Sequence, residues 1–355
     1  MKKRPDARPR RSAGFSLIEI MVGLVIAMLG VTIMLQTLLS SEERGRAANS
    51  GNDAMSNGAV TLNALRRDIA QAGYGLNSLA LFSCSLTMPG GVAVPLLPMV
   101  INPASTLVAS GKDANTDSVM VFYGNDTGQP EGNSVLGITG SAYTVQSPSS
   151  FHVGDYVMAY TGSCGTSLSL QRVTALDASA STVTVDGTAV STATILYDLG
   201  PSPVSRAYMV KSGALVTCDF MTADCRTYNA ANWTAASGDV VSMRAVYGRD
   251  SSSPMDGVVD VWDQTTPTSS CEWAKAPAVK LALVARSSQY ESRLNAVTGL
   301  RECDQVTAAA PTWDGSGVAP IDLSGDANWQ CYRYRTFENV VPLRNLVWMG
   351  VQSGC

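Results

Sequence analysis

The chain has 355 residues, of which 15% are charged, a formal net charge of −4 and a single histidine. That length holds one large or two ordinary domains with real cores. The acidic balance speaks against general nucleic-acid binding, because phosphate contacts need a basic surface. No P-loop, Rossmann glycine pattern, HExxH or G-x-S-x-G is present, so no enzyme is expected. The histidine, His152 in "SFHVGDYVMAY", reads as a structural or surface residue near the start of a strand.

The charge is unevenly placed. Residues 1–14 carry Lys2, Lys3, Arg4, Arg8, Arg10 and Arg11 against Asp6 alone, a net of +5. Taking that from the total of −4 leaves about −9 for the remainder. From Phe15 to Leu39 no side chain is charged except Glu19. As a helix this run spans roughly 37 Å, enough to cross a bilayer. Basic residues before it predict that the start stays cytoplasmic and the body crosses. A cleaved secretory signal would be shorter and end in a small-x-small site, whereas "SSEERGRAANSG" follows here. A plain anchor explains length and orientation but leaves Glu19 unexplained, since a carboxylate deep in a bilayer costs about 2.5–3.5 kcal/mol.

"GFSLIEIMVGLVIAMLG" resembles the class III signal of type IV pilins and pseudopilins. The resemblance implies that prepilin peptidase cuts between Gly14 and Phe15, removing the basic leader 1–14. Phe15 then becomes the N-methylated first residue, and Glu19 is the family's fifth-position glutamate, needed for filament assembly. Cutting after Gly14 creates a cationic amine. In a filament of packed apolar helices that amine can pair with Glu19 of a neighbouring subunit, and an unpaired member is penalised.

Beyond the apolar stretch 15–39, residues 40–75 are expected to continue the helix to about Ala72. Met55, Ala59, Leu62, Leu65, Ile69 and Ala72 recur at three- and four-residue spacing. Gly45, Gly51 and Gly58, with Asn49, Asn52 and Asn57, lower helix propensity near 45–58 and predict local weakness. Arg66 and Arg67 read as a solvated face, and Gly73 or Gly75 as the stop. "LRRDIAQAGYG" resembles the "L..DIR.AGY.G" helix end of PilW-type minor pilins, through Leu65, Asp68, Ile69, Ala72, Gly73, Tyr74 and Gly75.

Residues 76–355 alternate short Val-, Tyr- and Thr-rich runs with Gly, Pro, Ser, Asn and Asp clusters, which predicts antiparallel strands. These are expected at 118–124, 155–161, 182–187, 205–218 with a turn at Ser212–Gly213, 240–248, 257–263, 278–287 and 331–343. The segment 125–205 reads as an inserted lobe, on length alone. "DVVSMRAVYGRD", "AVKLALVARS" and "YRTFENVVPLRNLVW" again resemble the PilW type, in that order. The expected fold is therefore α+β and type IV pilin-like: a long N-terminal spine helix packed on a β-rich, mainly antiparallel head.

Eight cysteines, Cys84, Cys164, Cys218, Cys225, Cys271, Cys303, Cys331 and Cys355, all lie beyond the apolar run. An even number on the exported side predicts disulfides, and without CxxC there is no zinc-ribbon signal. The most local pairs are Cys218 with Cys225 and Cys331 with Cys355. "RDSSSPMDGVVDVW" sets Asp250, Asp256 and Asp260 around a turn, oxygen ligands of the kind calcium takes, but not at EF-hand spacing. No other cofactor is expected. In "YRYR", Tyr332 and Tyr334 share one strand face and Arg333 and Arg335 the other.

The resemblance implies a low-abundance minor pilin that helps start or assemble a type IV pilus. Its partners would be prepilin peptidase, other minor and major pilins, the inner-membrane assembly machinery and, before assembly, membrane lipid. It would sit in the inner membrane with its head in the periplasm, then in the pilus at the cell surface. A minor pseudopilin of a type II secretion system shares the same leader, helix and head. A tip adhesin or DNA-uptake pilin is the third reading, and a basic, aromatic-rich head patch would favour DNA.

Overall fold

A computed structural model describes residues 16–347 except 77, 83, 126–128, 130, 166 and 296; of 43, 44, 46–50 and 53 it describes the backbone alone. The expected cleavage residues Gly14 and Phe15, and Cys355, lie outside the described residues. The chain divides into two compact units, Met1–Ser50 and Gly51–Cys355.

One α-helix, Leu17–Gln71, runs without a break through the stretch expected to be weak. In the second unit its buried face is Ala54, Gly58, Thr61, Leu62, Leu65 and Ile69. This corrects the predicted stripe at its N-terminal end, where Met55 and Ala59 are exposed. The cause is Gly58: a Cβ built there would lie 2.2 Å from the Phe337 ring. The missing side chain lets the strand carrying Phe337 approach the helix backbone, which turns the buried face one residue toward Ala54. Gly73 and Gly75, both at φ +80°, end the helix in the left-handed region that L side chains avoid.

The head contains two adjoining sheets. One orders Thr234–Ser237, Ala214–Asp219, Val204–Lys211, Ser118–Tyr123 and Met99–Ile101; the other orders Val261–Asp263, Val240–Arg249, Ala278–Arg286 and Tyr334–Pro342. Every pairing within them is antiparallel. Leu65, Ile69 and Ala72 of the helix share a core with Val119, Val121, Met209, Met243 and Leu281 of the strands. Ala278–Arg286 is buried almost throughout because it is covered on both faces, so it reads as a continuous apolar run rather than an alternation. Its buried cation, Lys280, is 5% exposed; it pairs with Asp314 and lies 4.2 Å from the Trp262 ring centre.

Residues 133–200 build a separate closed barrel. Leu168–Asp177 pairs with Tyr156–Tyr160, which pairs with Ile195–Gly200, then Asn133–Thr139, Ala142–Val145 and Thr182–Val185, which returns to Leu168–Asp177. Closure leaves no edge within the ring. Tyr143, Val157, Val183 and Leu196 fill a core of its own, and the buried Tyr143 hydroxyl donates to Gln171 Oε1 at 2.7 Å. A short hairpin, Ser85–Thr87 with Ala93–Pro95, joins this sheet through the parallel pairing of Leu86 with Leu168.

Two predicted strands are shorter than expected by more than two residues. Of 257–263 only Val261–Asp263 is strand, and 331–343 yields Tyr334–Pro342, preceded by a 3-10 turn at Trp329–Cys331. The strands at Ser85–Thr87, Ala93–Pro95, Met99–Ile101, Ser292–Leu294 and Arg301–Cys303 have three residues each. They are too short for a period-two pattern to register in the sequence.

Candidate functional site

Ser16 starts the long helix by accepting the amide N–H of Glu19 at 3.0 Å and of Ile20 at 3.2 Å. Glu19 therefore sits in the first turn, where a carboxylate meets the positive end of the helix dipole. From Leu17 to Glu42 the helix is long and apolar enough to cross a membrane, and none of its most apolar window is buried. Leu17, Met28 and Met34 are more than 70% exposed, so apolar side chains surround the helix rather than striping one face. Its hydroxyls bond back to the helix: Thr32 donates to Met28 O at 2.8 Å, Thr37 to Met34 O at 2.9 Å and Ser40 to Thr37 O at 3.0 Å. That satisfies these donors without water, as a hydrocarbon environment demands. Glu19 is the one ionisable side chain between Ser16 and Ser41.

The other end of the helix is fixed by residues from distant strands. Asp68 accepts from Tyr123 at 3.1 Å, from Arg206 Nη1 at 3.1 Å and from the Tyr208 hydroxyl. Arg206 also reaches Asp219 Oδ2 at 3.5 Å. Burial first, and then the Asp68 charge, push the Tyr123 and Tyr208 hydroxyls well above their ordinary range, so both stay protonated donors. Burial also raises the Asp219 carboxyl. Asn345 Nδ2 donates to Gln71 O at 3.0 Å and Ala72 O at 3.1 Å, capping carbonyls that the ended helix leaves open. Asp68 and Asn345 each stood in a segment singled out by resemblance, and the fold brings both to one joint. Arg206 and Tyr208 were not singled out. Their i, i+2 spacing places them on one strand face, but nothing in that pattern says the face meets the helix.

Asp250, Asp256 and Asp260 share a loop but do not converge. Asp250 is 3% exposed and accepts backbone N–H groups from Ser252 at 2.9 Å, Asp256 at 2.9 Å and Gly257 at 2.7 Å. Asp260 accepts from the Ser251 amide and hydroxyl, which hold its carboxyl below the usual range, and Asp256 accepts from Val258 N–H. The two amides on Asp250 Oδ2 take both of the directions that oxygen could offer a cation. Among the described residues no three His, Cys, Asp or Glu side chains are grouped to hold a metal.

Three disulfides are described: Cys84–Cys164, Cys218–Cys225 and Cys303–Cys331. Cys271 is also disulfide-bonded. The expected pairing of Cys331 with Cys355 is corrected, because the 3-10 turn at Trp329–Cys331 lies against the end of Arg301–Cys303 and presents Cys331 to Cys303. His152 is on the surface, its backbone N–H donating to Asp155 Oδ2 at 2.6 Å. Tyr332 and Tyr334 are half-buried while Arg333 and Arg335 are exposed, and Arg333 pairs with Glu291 at 2.9 Å.

Residues 207–345 match the family model described as Type IV Pilus-assembly protein W, and residues 9–35 match that of the prokaryotic N-terminal methylation motif. Among solved structures, a type IV-like pilin from Thermus thermophilus is similar at 14% identity and a TM-score of 0.34, over 83% of this chain and 97% of that one. No curated protein sequence matches the chain.

Proposed function

We propose that this chain, whose residues 207–345 match the PilW family model and residues 9–35 the N-terminal methylation motif, is a type IV pilin-like structural subunit, a minor pilin that helps start or assemble a type IV pilus. Its leader, residues 1–14, is removed by prepilin peptidase between Gly14 and Phe15, and Phe15 is then methylated. The stretch 15–39 spans the inner membrane until the subunit enters the filament, with the head in the periplasm and afterwards at the cell surface. The observation that carries the reading is the apolar surface from Leu17 to Leu39, exposed all round the helix, with Glu19 its single ionisable side chain. In lipid that surface is satisfied and the carboxylate is not. Among neighbouring helices of the same kind both are satisfied, provided the cleaved amine of one subunit meets Glu19 of the next.

Other minor and major pilins and the inner-membrane assembly machinery are the partners this requires. Deleting the gene and assaying surface pili and secreted enzymes in parallel tests the proposal. Loss of pili with secretion intact is expected. Intact pili with lost secretion would make the protein a minor pseudopilin of a type II secretion system.

A further inference from the structure

A cleft of about 330 Å³ opens in the head where the two antiparallel sheets adjoin. Asp113, Arg286, Asp322, Asp326, Trp329 and Tyr334 line it. Its size falls at the lower end of small-ligand pockets. The polar groups are held in place before any ligand arrives. Asp113 accepts the Ser212 and Gly213 amides, each at 2.8 Å. Asp322 accepts the Ser324 amide at 2.9 Å and Asn115 Nδ2 at 2.7 Å, and Asp326 accepts the Asn328 amide at 2.9 Å and Arg286 Nη1 at 3.1 Å. Each of these oxygens has a second lone pair to offer. Arg286 stacks 4.4 Å from the Tyr332 ring centre, and its buried Nε has no partner among the described residues. Tyr334 spends its hydroxyl on Trp329 O at 2.8 Å, which leaves the two half-buried aromatic rings as an apolar wall.

The charges select the class of ligand. An anion would meet three carboxylates, and a basic side chain from a partner protein would meet the Arg286 guanidinium. A neutral molecule rich in hydroxyls is served by both, since each hydroxyl donates to a carboxylate and accepts from an arginine, while a C–H face packs on an aromatic ring. We propose that this cleft binds a neutral saccharide. The site is independent of the filament proposal: it lies wholly in the head and uses neither Glu19 nor the helix.

The test is saturation-transfer NMR on the full chain in a zwitterionic detergent, chosen because glycosidic detergents would compete. The probes are the methyl glycosides of glucose, galactose and N-acetylglucosamine, with N-acetyl-lysine amide as the cationic probe. At least one glycoside should receive saturation at its ring C–H protons. Trp329→Ala removes part of the wall. Gly325→Leu blocks the cleft without removing a contact, because Gly325 sits in a backbone conformation open to side chains and a Cβ there meets only Ala114 Cβ, at 3.5 Å. Both variants should reduce the transfer to background while circular dichroism stays unchanged. If Trp329→Ala does not fold, Gly325→Leu decides alone. Transfer to none of the glycosides, transfer undiminished in Gly325→Leu, or transfer to the lysine probe alone overturns the proposal.

Discussion

The two ends of the long helix make opposite use of apolar residues. From Leu17 to Leu39 large side chains point in every direction and stay exposed, and Cβ atoms at Gly23 and Gly30 would meet nothing within 4 Å. From Ala54 to Ala72 one face is buried in the head, and Gly58 is pressed against Phe337. Polar groups divide in the same way. Glu19 has a place in the proposed function that needs another subunit, whereas Asp68 is satisfied within the chain by Tyr123, Arg206 and Tyr208. One element thus carries a surface left for partners and a surface already used, and the hydrophobic residues alone do not say which is which.

That contrast can be broken at single positions. The largest effect is expected for Glu19→Ala, which should abolish recovery of the subunit in sheared filament fractions while leaving membrane insertion, Gly14 cleavage and the thermal midpoint of the head unchanged. Normal incorporation would remove Glu19 from the account. Asp68→Ala should do the reverse. It strands two buried phenols and takes from Arg206 one of its two carboxylates, so the head should lose about 2–3 kcal/mol in denaturant unfolding. An unchanged midpoint would mean that the joint is held by packing alone.

Gly58→Ala and Gly30→Ala form a matched pair. The first pushes a methyl into the Phe337 ring and should cost about 1–3 kcal/mol; the second enters open space and should leave unfolding of the head unchanged. Equal effects on the head would contradict the close approach at Gly58. The smallest effect is in pH. Burial raises Tyr247 and Tyr334 from 10.0 to about 12. The folded head therefore holds these protons more tightly than the unfolded chain does, so their contribution is whole below pH 10.0 and is lost as the pH rises toward about 12. The thermal midpoint of the head should fall across that window, and less steeply in Tyr247→Phe. The Tyr247 hydroxyl accepts from Ile101 N–H at 2.8 Å, so that variant should also start from a lower midpoint.

Much of this architecture is legible in the chain order of residue types. A long apolar run cannot be misread, because length and the absence of charge are local properties. The strands at Ser118–Tyr123 and Val240–Arg249 stand out because β-branched and aromatic residues are concentrated there, and Ala278–Arg286 stands out as a short apolar run. The barrel at 133–200 does not stand out: its closure depends on Asn133–Thr139 pairing with Ile195–Gly200 and Ala142–Val145 with Thr182–Val185, strands that lie far apart in the sequence. The turn helix Ser270–Ala274 likewise does not stand out, although Ser269 and Glu272 form a capping box whose spacing is visible in "SSCE". Five residues are too few for periodicity to call attention to it.

The sequence by itself determined that one helix has a membrane-length apolar start with a single carboxylate, that a β-rich body follows, and that cysteines lie in the body. These depend on composition and short spacing, which the chain carries everywhere along its length. Tertiary structure alone decided that Gly58 is a contact rather than a weakness, that Cys331 bonds Cys303, that the acidic turn spends its carboxylates on its own amides, and that Asp113, Arg286 and Trp329 share one cleft. Each of those outcomes turns on which distant backbones come within a few ångströms of one another. Packing settles that only after every strand has found its neighbour.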